Sequence, residues 1–202
     1  MSKVKNIIFD VSDVLTMHQH DRDWSNQVLA DQYGVPPEKI QAFFDEYIEA
    51  GRKVHGMRIE EFWNKKTVNL DPIPLSAVLA SGQRYANDIV LNMDMVNVLE
   101  ILQKKYRLFA LTNTWRPGHP FKKDLEQYFE AFVQSCDIKL GKPDPKIFQY
   151  MLDTYNLEPD TTLFVDNSIE NTNAARDRGM QVIHFIDSKQ CIAELRKLEI
   201  LQ

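Results

Sequence analysis

The chain has 202 residues, 44% of them hydrophobic and 26% charged, which suits one domain or one domain with an insertion and excludes collagen-like, low-complexity and disordered readings. Lys plus Arg number 24 against 29 Asp plus Glu, a formal net charge of −5, so the chain lacks the basic footprint of a nucleic-acid or anionic-membrane binder. Cys136 and Cys191 have neither metal-ligand nor disulfide-framework spacing, no run approaches the ~20 apolar residues of a membrane span, and the expected address is the cytoplasm, with both thiols reduced.

Val4 and Ile7-Ile8-Phe9 read as a short strand buried on both faces, ending at Asp10. From about Met17 to Asp88 the pattern is helical, with no strand expected. Trp24, Val28, Leu29 and Ala30 recur until Gly34 stops the helix. Pro36-Pro37 opens a second helix whose Ile40, Phe43, Phe44, Tyr47 and Ile48 make a wide apolar face, and shorter helices are expected over 59–66 and 75–86. Met95, Val96, Val98, Leu99 and Leu102 predict a helix from Met93 to Lys105. Strands follow over Leu108–Leu111, Phe129–Ser135, Thr162–Val165 and Val182–Phe185. They alternate with helices over Ile147–Tyr155, Ile169–Arg178 (closed by Gly179) and Ile192–Leu198. This alternation predicts an α/β fold, a parallel sheet with right-handed crossovers, in which residues 17–88 are an insertion after the first strand.

Ligands of an open parallel sheet sit beyond the carboxyl ends of its strands. The residues there are Asp10-Val11-Ser12-Asp13, Thr112-Asn113-Thr114 and Asp166-Asn167-Ser168-Ile169-Glu170-Asn171, with Gly141-Lys142-Pro143-Asp144-Pro145 between the last two. Together they supply a carboxylate nucleophile, hydroxyl and amide donors, a cation and a group of oxygen ligands. Those parts suit Mg²⁺-dependent phosphoryl transfer through an aspartyl-phosphate. Asp10 attacks phosphorus with Mg²⁺ bridging the two anions, Thr112 and Lys142 stabilise the equatorial oxygens, and oxygens after the Thr162–Val165 strand hold the metal.

The ordered set Phe9-Asp10-Val11-Ser12, Leu111-Thr112-Asn113, Lys142 in Gly-Lys-Pro-Asp-Pro, and Val165-Asp166-Asn167 resembles the four motifs of the haloacid dehalogenase superfamily, chiefly its phosphatases. The runs 111–115 and 142–148 look most like the sugar-1-phosphate phosphatases and the N-terminal phosphatase domain of soluble epoxide hydrolases. The resemblance implies a Rossmann-like core over 1–16 and 89–202, a helical cap over 17–88, a small phosphorylated substrate with a sugar phosphate foremost, and Mg²⁺ as cofactor. It implies Asp10, Thr112 and Lys142 as catalytic residues and Asp10, Ser12 (through its carbonyl), Asp166 and Asn167 as the metal set. Ser12, Asn113 and Arg116, the last at the mouth of the site, are the substrate contacts. The sequence carries no signal for an oligomeric state.

Two positions depart from the family. Ser12 stands where phosphatases usually carry a second aspartate that protonates the leaving oxygen, and Asp13, in an extended segment, points away from the side of Asp10; slow turnover is the expectation. Asn167 stands where an aspartate is more usual in the metal shell, so weaker metal binding is expected, helped by Glu170 through outer-shell water. Two rival readings follow: a metal-independent 2-haloacid dehalogenase, and a ligand-binding or interaction module with little catalysis. His18-Gln19-His20-Asp21 reads as a polar loop at the start of the insertion rather than a zinc site.

Overall fold

The computed structural model describes residues 3–19, 27, 30–53, 59–66, 73–114 and 119–202. Five strands form a parallel sheet: β1 (Asn6–Phe9), β4 (Arg107–Thr112), β5 (Ala131–Gln134), β6 (Thr162–Asp166) and β7 (Gln181–His184), in the order β5-β4-β1-β6-β7. Phe9 pairs with Ala110 on one side and with Val165 on the other. The α/β fold with a parallel sheet is therefore as the sequence predicts. The chain lays down β4 and β5 on one side of β1, then returns to build β6 and β7 on the other. The strand order reverses between β1 and β6, where open sheets form their ligand crevice.

The apolar runs are continuous because both faces of the sheet are covered. Ile7, Phe9, Leu108, Ala110, Leu163 and Val165 belong to one core, packed with Met95, Leu99 and Leu102 of helix α4 (Met93–Leu102) and with Cys191 and Leu195 of α9 (Ser188–Lys197). Ile8, Phe109, Leu111 and Phe164 belong to the opposite core, with Phe148 and Met151 of α7 (Pro145–Tyr155) and Ala175 of α8 (Ile169–Arg176). Phe148 meets Phe164 edge to face with ring centroids 5.3 Å apart. Each such fully buried side chain contributes roughly 1.5–3 kcal/mol. The helices begin where their caps are: Asp144 accepts from the Lys146 N–H ahead of Pro145, and Ser168 accepts from the Asn171 N–H.

The chain divides into two compact units, residues 1–17 with 91–202, and residues 18–90. The second contains α1 (Pro37–Lys53), α2 (Ile59–Lys66) and α3 (Leu75–Asp88). It has its own aromatic core of Phe43, Tyr47 and Phe62 with Val78, and Gly34 takes φ +66 where the preceding helix stops. The chain passes between the units along β2 (Thr16–His18) and β3 (Ile89–Leu91), which pair as a two-stranded sheet. The expectation of no strand from Met17 to Asp88 is thus corrected at Met17 and His18. His18 is in β2 rather than a loop and lies 3.4 Å from Asp88, while His20 falls outside the described residues. Helix α4 ends at Leu102, three residues short of the predicted end, because the N–H groups of Lys104 and Lys105 bond in turn fashion to Ile101 and Leu102. Two short helices, α5 (Lys122–Leu125) and α6 (Ser135–Ile138), are additional to the prediction.

Candidate active site

Asp10 continues the ladder of β1, its N–H donating to the Val165 carbonyl at 2.9 Å. Its carboxylate is 7% exposed. Oδ1 accepts the Val11 N–H at 2.7 Å and lies 2.8 Å from Lys142 Nζ, whereas Oδ2 has no hydrogen-bond partner among the described residues. The chain then turns instead of continuing extended, as the Val14, Leu15 and Thr16 N–H groups all fold back onto the Val11 carbonyl. This corrects the premise used for Asp13, which adopts φ +59 at an exposed turn, a conformation that its short polar side chain tolerates. Ser12 is exposed in the same turn.

Lys142 is 3% exposed and bridges two carboxylates, 2.8 Å from Asp10 and 2.7 Å from Asp166 Oδ2. Its backbone is fixed by Asn113, whose amide donates to the Lys142 carbonyl at 2.8 Å and accepts the Lys142 N–H at 2.9 Å. Asn113 is therefore half-buried as a brace of the lysine loop. An ammonium has three donors, so Lys142 keeps one beyond its two carboxylate partners. Thr112 ends β4 fully buried, and its hydroxyl has no hydrogen-bond partner among the described residues. Leaving such a group unpaired costs about 1–3 kcal/mol, and a phosphoryl or carboxyl oxygen would satisfy it.

Asp166, fully buried at the end of β6, accepts four hydrogen bonds: Ser168 N–H (2.8 Å) and Asn171 Nδ2 (3.0 Å) on Oδ1, Lys142 Nζ (2.7 Å) and Asn171 Nδ2 (3.1 Å) on Oδ2. Asn167 is exposed, and its carbonyl accepts from His184 Nε2 at 3.0 Å. Since a carbonyl can only accept, that contact assigns the ring proton to Nε2. Glu170 is exposed on the first turn of α8. Arg116 lies outside the described residues.

With both carboxylates ionised, the two acids and one ammonium give the cluster a net charge of −1. Burial pushes the Asp10 carboxyl up to about 7, with Lys142 pulling it down and Asp166 pushing it further up. For Lys142, burial disfavours the ammonium, but Asp10 and Asp166 together outweigh it and raise its proton affinity. The cluster combines a nucleophilic oxygen with a held cation and an unpaired hydroxyl, a set able to bind an anionic group and attack it.

Asn171, within the polar run after β6, and His184 are polar contacts to which the sequence assigns no individual role. Asn171 follows the capping Ser168 by three residues, a spacing that sets it in the first turn of α8. His184 ends β7 in register with Asp166, so the polar-residue-after-apolar-strand signal that marked Asp10 applied to it as well.

Residues 4–179 match the family model of the haloacid dehalogenase-like hydrolases. The chain belongs to this family. As a haloacid dehalogenase-like hydrolase it is similar to bifunctional epoxide hydrolase 2 of Rattus norvegicus, 31% identical over 117 residues covering 54% of this chain and 21% of that protein. It is also similar to a phosphorylated carbohydrates phosphatase of Thermotoga maritima, 31% identical over 111 residues covering 51% of each. The match thus spans about a fifth and a half, respectively, of these relatives' lengths. In fold it is similar to a family enzyme of Bacteroides thetaiotaomicron whose crystal structure is a complex with magnesium and inorganic phosphate. The TM-score is 0.65 at 18% identity, over 89% of this chain and 93% of that one.

Proposed function

We propose that this hydrolase cleaves a small phosphomonoester, a sugar phosphate foremost, through an aspartyl-phosphate on Asp10. The observation that carries this reading is the Asp10–Lys142–Asp166 cluster beside the unpaired Thr112 hydroxyl. The Asp10 carboxylate forms a bond to phosphorus as the ester P–O bond breaks, and water then cleaves the acyl phosphate to return the carboxylate. The third Lys142 N–H and the Thr112 hydroxyl donate to the phosphoryl oxygens as charge builds on them. Ser12 has no proton of carboxylic acidity to give the leaving alkoxide, so the reaction draws that proton from water and is slow.

The donors around Asp10 Oδ2 suit Mg²⁺, which takes hard oxygens and binds through one or two carboxylates, water and substrate phosphate. Asp10, the Ser12 carbonyl and the Asn167 amide oxygen would hold it, with Asp166 behind Lys142. Bound there, it would supply charge neutralisation between nucleophile and phosphate. We further read residues 17–88 as the cap that selects substrate, Arg116 as a substrate contact, and the chain as similar in function to the sugar-1-phosphate and epoxide-hydrolase-associated phosphatases. The names and ligands of the Thermotoga and Bacteroides relatives support this. Hydrolysis of an aryl phosphate and a panel of sugar phosphates, with Mg²⁺ and with EDTA, beside Asp10→Asn, tests it. Metal-dependent release lost in the variant is expected; silence across the panel rejects it.

One observation favours the dehalogenase as second reading. Asp166 is enclosed by Lys142, Asn171 and the Ser168 N–H instead of facing ligand as a bare anion. A carboxylate substrate therefore meets less repulsion there than the sequence alone suggests. Halide release from 2-haloacids in EDTA separates the two.

A further inference from the structure

Both oxygens of Asp166 are already engaged by protein donors: Ser168 N–H on Oδ1, Lys142 Nζ on Oδ2, and Asn171 Nδ2 spanning the two. Oδ1 of Asp10 is likewise taken, by Val11 and Lys142. Among the described residues, that leaves Asp10 Oδ2 as the single anionic oxygen of the cluster open to a cation. The adjoining Asn167 is exposed, its side chain has no partner among the described residues, and it carries no charge. A divalent cation approaching Asp10 Oδ2 also approaches the Lys142 ammonium, 2.8 Å from the same carboxylate, and is repelled by it. A phosphate removes this imbalance, because its negative charge lies between Lys142, the Thr112 hydroxyl and the metal and interacts favourably with each.

From this charge distribution we infer that the chain binds Mg²⁺ and a phosphate-bearing ligand as a coupled pair, each weakly alone, with Asn167 the residue that withholds the charge needed for metal to bind first. The inference rests on the phosphatase reading. Linkage requires the coupling to be reciprocal: phosphate tightens Mg²⁺ by the factor by which Mg²⁺ tightens phosphate. Asn167→Asp adds a second charged oxygen and breaks the dependence.

Calorimetric titration of the full chain with Mg²⁺, with and without saturating inorganic phosphate, and with phosphate, with and without Mg²⁺, measures this directly. The expected result is a common tightening of about 5- to 150-fold in both directions. For Asn167→Asp, the Kd for Mg²⁺ alone falls by about tenfold or more and the gain from phosphate shrinks, while Asn167→Ala stays weak for Mg²⁺ alone. Asn167 is exposed, so both variants fold, which circular dichroism verifies. An unchanged Mg²⁺ affinity on adding phosphate, or an Asn167→Asp protein no tighter than the parent, overturns the inference while phosphate binding keeps the phosphatase reading alive. Absence of phosphate binding with or without Mg²⁺ rejects both.

Discussion

Asn171 donates to both carboxylate oxygens of Asp166, at 3.0 and 3.1 Å, and thereby fixes the plane of the acid that holds Lys142 from behind. Lys142 in turn reaches Asp10. The Asp10 carboxylate is thus held by a chain of contacts that begins on α8 and crosses the switch point of the sheet.

Asn171→Ala removes the amide donor that both oxygens of a fully buried carboxylate share. It costs about 1–3 kcal/mol of stability, and kcat falls about 10- to 100-fold through misplacement of Lys142. Urea denaturation and steady-state kinetics check this; wild-type values in both would show that Asp166 needs no such support.

Lys142→Met leaves Asp10 and Asp166 as buried acids with no cation between them. Removing one partner of a buried charge cluster costs about 3–5 kcal/mol, measurable by chemical denaturation at pH 8. The loss shrinks on acidification as Asp10 takes up a proton, and a loss independent of pH would contradict the assignment.

The pH dependence of stability carries an unusual sign. Asp10 has its carboxyl raised from an ordinary 3.8 to about 7, with burial the largest cause. Between those values the folded chain binds more protons than the unfolded one, so stability falls as pH rises from about 4 to about 7. Denaturation midpoints in EDTA across pH 4–8 should show this decline. Asp10→Asn should flatten it, and an equal slope in that variant would rule Asp10 out as its source.

Much of the core was legible because each central strand is a short apolar run that stops at a polar residue: Phe9 before Asp10, Leu111 before Thr112, Val165 before Asp166. The pairing of Thr16–His18 with Ile89–Leu91 was not, because it joins segments about seventy residues apart and neither is long enough to declare itself. The role of Asn171, as distinct from its place in the polar run after β6, was not legible for a different reason. Its importance lies in which way the first turn of a helix faces, and a lone asparagine three residues after a serine reads equally well as a solvated cap. The turn after Asp10 shows the limit of period-two reasoning. Alternation makes residues 10–13 extended, yet three N–H groups converge on the Val11 carbonyl and Asp13 is left-handed.

Ser12→Asp restores a carboxyl two residues after the nucleophile, at an exposed position that tolerates it. With protonation of the leaving oxygen limiting, kcat rises about 10- to 100-fold, with the larger gain on alkyl than on aryl phosphates. An equal or absent gain on the two classes would place the limit elsewhere.

The central claim is that Asp10 becomes phosphorylated during turnover. Mass spectrometry of acid-quenched protein mixed with an aryl phosphate and Mg²⁺ tests it at the residue itself. The account predicts a phosphoryl adduct on the peptide containing Asp10 that disappears as substrate is exhausted and never forms in Asp10→Asn. Turnover without that adduct, or undiminished turnover in the Asp10→Asn protein, would contradict it.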